Sequence, residues 1–68
     1  MTGSELKEAR HKLGLTQPAL AASLGVNLRT LVGWELGNRN GRPAAVPVAV
    51  ALAVEALKER ARKEEAER

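Results

Sequence analysis

Three glycines, Gly14, Gly25 and Gly37, cut the first half of the chain into short runs, and each run opens on a side chain able to cap a helix. Thr2 is followed at the third position by Glu5, the pattern of a capping box, and Leu6, Ala9 and Leu13 then repeat at helical spacing until Gly14. This predicts helix 1 over Gly3 to Leu13. Thr16 caps the second run, Pro18 is tolerated in its first turn, and Leu20, Ala21 and Leu24 form an apolar stripe that stops at Gly25, so helix 2 is expected over Gln17 to Leu24. Asn27 caps the third run, where Leu31, Val32 and Trp34 precede Gly37, which places helix 3 at Leu28 to Leu36.

Beyond helix 3 the chain changes character. Asn38 to Pro43 reads Asn-Arg-Asn-Gly-Arg-Pro, turn formers and basic groups without periodicity, and is expected to be a loop. From about Ala45 a fourth helix is expected, with Pro47 in its first turn. Val46, Val50, Ala53 and Leu57 mark one face and Val48, Leu52 and Ala56 another. A helix apolar on two faces must be covered on both, so the second face is either buried centrally or forms a dimer interface. After Leu57 the charged run places Glu59 before Lys63 and Glu64 before Arg68 at i,i+4, with Arg60 before Glu64 in the weaker order. It prolongs helix 4 as a solvated tail or serves as a docking strip.

Composition narrows the class. A chain of 68 residues without cysteine and with a single histidine, His11, has neither disulfides nor a His/Cys zinc site, and no cofactor is expected. It is too short for an enzyme core with a substrate cleft, and His11 lacks a partner at catalytic spacing, so no enzyme activity is expected. The longest uncharged apolar run, from Ala44 to Val54, contains Pro47 and is too short to span a bilayer, which points to a soluble, cytoplasmic protein. With no Phe, Tyr or Ile, the core must come from Leu, Val, Ala and Trp34. The net charge of +3 lies entirely in residues 1–45, whereas residues 46–68 carry equal numbers of basic and acidic groups and cancel. That distribution suits a first part that meets a polyanion and a tail that does not.

Two helices joined by the tight Gly25-Val26-Asn27 turn, the second opening on a polar residue, describe a helix-turn-helix. Ala21 stands where those helices should approach most closely, and Leu20, Val26 and Leu31 would seal the core between them. The stretch Leu13 to Arg39, with Thr16-Gln17 opening helix 2, Leu-Ala before Leu24-Gly25-Val26, Arg29-Thr30-Leu31 in helix 3 and Trp34-Glu35-Leu36-Gly37 at its end, resembles the XRE/Cro group of lambda-repressor-like DNA-binding domains of phage and bacterial regulators. Including the scaffold helices, the resemblance covers about Thr2 to Leu57. It implies an all-α, compact four-helix domain over residues 1–57, followed by a charged helical extension over residues 58–68.

The resemblance also implies roles. Asn27, Leu28, Arg29 and Thr30 form the first turn of helix 3, which enters the major groove in that family, and Arg29 carries the fork that matches guanine O6 and N7. Leu28 is either a contact for a thymine methyl or an ordinary exposed leucine. Gly33 departs from the family, where a longer polar side chain often sits. Either its backbone approaches DNA closely or this position reads nothing. Gln17 occupies a position that binds a phosphate and can brace a helix 3 side chain, while Asn38, Arg39 and Arg42 lie where phosphate contacts are made. Arg10 and Glu35 match a salt bridge between helices 1 and 3, and Trp34 reads as core.

The function this implies is sequence-specific binding of double-stranded DNA by a small homodimeric repressor, joined through Val48, Leu52 and Ala56 and acting on a palindromic operator. Phage repressors, antitoxins, restriction controllers and anti-CRISPR-associated autorepressors share this size and architecture. A different class, a protein-interaction adaptor using the apolar face of helix 4, is the alternative.

Overall fold

The structure, a computed structural model, describes residues 1–66. Its elements run α1 (Gly3–Lys12), α2 (Gln17–Leu24), α3 (Leu28–Leu36), β1 (Asn38–Arg39), β2 (Arg42–Pro43) and α4 (Val48–Ala66). The first three helices fall where the caps place them. Thr2 closes a full capping box, its hydroxyl accepting from the Glu5 N–H at 3.1 Å while its own N–H donates to Glu5 Oε1 at 3.0 Å. The Thr2 backbone N–H first, and the Thr2 side chain second, favour the charged form of the Glu5 carboxyl and hold it below its usual range. Thr16 and Asn27 cap α2 and α3 in the same way, accepting from Ala19 N and Arg29 N.

The expected loop after α3 is instead a two-stranded antiparallel hairpin, in which Asn38 pairs with Pro43 and Arg39 with Arg42. The molecule is therefore mostly helical rather than all-α. Asn40 and Gly41 at the tip both have positive φ, 54° and 77°, as a tight two-residue hairpin turn requires. Asn-Gly is the strongest short hairpin signal, but strands of two residues are too short to display alternation.

Helix α4 begins at Val48, three residues later than expected, because Pro47 sits at its cap and its carbonyl accepts the first bond from Ala51 N. The buried face of α4 also differs. Val54, at 0% exposure, is its innermost residue, whereas Ala53 is exposed. Both flank the line from Val50 to Leu57, and burying valine removes more apolar area from water than burying alanine.

The core is Leu6 and Ala9 of α1, Leu20 and Ala21 of α2, Leu31 of α3 and Val54 of α4, flanked by half-buried Leu15, Leu24, Val26, Trp34, Val46, Val50 and Leu57. Helices α1 and α2 each pack on both α3 and α4, so α3 is held from behind, and the first strand of the hairpin also packs on α3. Gly3 is the close approach between α1 and α3: a Cβ there would run into the backbone carbonyls of Trp34 and Glu35. Past Leu57 the helix projects, giving an elongated molecule of 45 × 19 × 17 Å. On that projection Glu59 pairs with Arg62 at 2.6 Å rather than with Lys63, and Glu55 with Lys58 at 3.4 Å. A guanidinium that reaches both Glu59 oxygens outcompetes a lysine at i+4. The expected Glu64–Arg68 pair lies outside the described residues. Among the described residues no helix is long and apolar enough to cross a membrane.

Candidate nucleic-acid interface

One end of the molecule is built from the start of α3 and the hairpin. Gly25, at φ 71°, closes α2 in the left-handed region, and Val26 then donates to the Ala21 carbonyl at 3.0 Å, so only three residues separate α2 from α3. Asn27 Oδ1 accepts from Arg29 N at 2.8 Å, which commits the side-chain oxygen to the cap and leaves only the amide group free to face a ligand. Leu28, at 43% exposure, and Arg29 stand open, while Thr30 is half-buried.

Behind this face lies a charge network that fixes the helices. Arg10 donates through Nε to Glu35 Oε2 at 2.8 Å and through Nη2 to Oε1 at 3.2 Å, and its Nη1 reaches the Leu15 carbonyl at 3.1 Å. The Arg10–Glu35 pair thus forms, with side-chain exposures of 10% and 3%. Gln17 joins it, Nε2 donating to Glu35 Oε1 at 3.2 Å, so one of its two amide protons is engaged with α3. No buried side-chain polar atom among the described residues lacks a partner. Sequence reasoning missed the Leu15 carbonyl and Gly3, since both are backbone approaches set by how α1 docks and carry no side-chain signature.

The hairpin stands beside α3 with Asn38, Arg39 and Arg42 exposed. Arg39 and Arg42 are direct cross-strand partners, so both side chains leave the same face of the ribbon. Like charges at this spacing repel. Among the described residues neither they nor Arg29 has a carboxylate within ion-pair distance. Arg29 and Arg39 border one shallow depression of about 360 Å³, which also takes in Asn38 and Asn40.

Gly33 is buried, with the position its Cβ would take 3.4 Å from the Arg39 Cβ. The backbone there is covered by the hairpin. On α4, Val48 and Leu52 are 75% and 66% exposed. With Ala56, also exposed, they leave the second apolar face of α4 uncovered.

Comparison of the chain with known protein families, characterised proteins and solved structures finds no match. The chemistry of the surface therefore has to be read from its own geometry: a polar-capped helix start and three guanidinium groups without a carboxylate partner among the described residues, which together suit a polyanion.

Proposed function

We propose that this protein is a sequence-specific, double-stranded DNA-binding regulator of the lambda-repressor-like helix-turn-helix type. The first turn of α3 enters the major groove, where Arg29 reads a guanine and Leu28 meets a thymine methyl. Gln17, through its free amide proton, and the hairpin's Asn38 and Arg42 engage phosphates on either side. The observation that carries this reading is that Arg29 at the start of α3 and Arg39 and Arg42 on the adjoining hairpin are all exposed and, among the described residues, have no carboxylate partner. Keeping two arginines face to face across a two-residue hairpin costs stability in the free protein, and an external anion offsets that repulsion.

Two copies joined through Val48, Leu52 and Ala56 would present two α3 helices to half-sites about 34 Å apart. One domain makes few base contacts, and linking two raises affinity through effective concentration. Regulation in this reading is by occupancy: the bound dimer blocks polymerase in the cytoplasm, and the protein's own promoter is a natural target. The open face of α4 also favours a second reading, an adaptor whose Val48–Leu52 surface docks a protein partner.

The two readings part on salt. Fluorescence anisotropy on labelled duplexes should show affinity falling as salt rises from 50 to 200 mM, because each phosphate neutralised by an arginine releases counterions. Binding that is insensitive to salt, or absent, overturns the DNA-binding function and leaves the adaptor.

A further inference from the structure

We propose that Arg39 is a second base-reading side chain, supplied by the hairpin at the place where α3 itself has none. The inference rests on the DNA-reading function proposed above and adds a specificity determinant to it.

Arg29 and Gly33 are four residues apart on α3 and so share one face, one turn removed. Position 33 has no side chain, yet it is buried, and what buries it is Arg39: the site of the missing Cβ lies 3.4 Å from the Arg39 Cβ and 3.8 Å from its Cδ. The aliphatic stem of Arg39 therefore lies along the helix in the space a residue 33 side chain would fill. Arg39 is nonetheless exposed and borders the same depression as Arg29. The hairpin turn at Asn40 and Gly41 fixes the register of Arg39 against Arg42, so this arginine is held by paired backbone rather than carried on an irregular loop. Arg42, its cross-strand partner, does not border the depression, which leaves it to a phosphate.

Four residues of helix rise about 6 Å. Base pairs repeat at about 3.4 Å. Arg39 therefore reaches a base pair about two steps from the one Arg29 reads, and both present the planar fork that matches guanine O6 and N7. The expected recognition element in each half-site is a pair of guanines at that separation.

The test is selection of bound sequences from a randomised duplex library by the wild-type chain and by Arg29→Lys, Arg39→Lys and Arg42→Lys. Lysine keeps the charge at these exposed positions and removes the fork. Arg39→Lys should lose a roughly 5- to 150-fold preference for one guanine about two steps from the guanine lost in Arg29→Lys. Its salt dependence should be unchanged, because the number of neutralised phosphates is unchanged. Arg42→Lys should keep both preferences. A wild-type motif that Arg39→Lys reproduces in full overturns the inference and leaves the proposed function standing. A wild-type chain that enriches no sequence overturns the function itself, and the inference with it.

Discussion

Glu35 is where three helices meet, because its carboxylate takes Arg10 of α1 and Gln17 of α2 onto α3. With 3% of its side chain exposed, the carboxylate is stabilised by its partners rather than by water. Removing it strands the Arg10 guanidinium in a site that was built for a pair. Glu35→Ala is expected to cost about 3–5 kcal/mol in urea unfolding, a large share of what a small domain possesses. A loss below about 1 kcal/mol would show that the network is not what fixes α3. The Arg10–Glu35 pair was legible through the resemblance of the two positions to a known pattern, whereas the third arm of Arg10, to the Leu15 carbonyl, was not. A carbonyl's availability depends on where the chain turns after α1, and Gly14, with φ 69°, sets that turn only once α2 has docked.

At the scale of elements, boundaries written in local chemistry were readable. Thr2, Thr16 and Asn27 bond to N–H groups two or three residues away, so the starts of α1, α2 and α3 need no tertiary knowledge. The hairpin and the phase of α4 were not readable in the same way. Two-residue strands carry no period, and the choice between Ala53 and Val54 as the inner residue of α4 is made by the core it packs on. Gly33 joins these levels, since its missing side chain looks like a flaw in α3 until the hairpin is seen lying over it. A methyl group at that position would make ordinary contact with the Arg39 stem, so Gly33→Ala should gain about 0.5–1 kcal/mol of helix stability. A melting temperature that falls instead would mean the hairpin sits on α3 more tightly than the 3.4 Å separation allows.

On the scale of the whole molecule the two apolar faces of α4 have different fates. Val50, Val54 and Leu57 complete the core, and Val48, Leu52 and Ala56 remain open on a helix that projects beyond it. The sequence pattern announced both faces, but a single chain covers only one. If the open face joins two copies, Leu52→Glu should convert a dimer to a monomer in sedimentation, leave the helical circular dichroism intact and weaken binding to a two-half-site duplex by at least about tenfold. A wild-type chain that sediments as a monomer at binding concentrations would remove the symmetric arrangement.

The charge distribution belongs to the same scale: the excess of +3 sits in residues 1–45, the stretch that contains the first three helices and the hairpin, and residues 46–68 are balanced. What distinguishes a reader of sequence from a general polyanion binder is whether the exposed start of α3 discriminates bases. The most direct measurement is competition between a selected duplex and its scrambled counterpart at fixed salt, for the wild-type chain and for Arg29→Ala. The account predicts that the wild type prefers the selected duplex by orders of magnitude, that Arg29→Ala abolishes most of that preference, and that its helical content and melting profile are unchanged. An Arg29→Ala chain that keeps the full preference would contradict it.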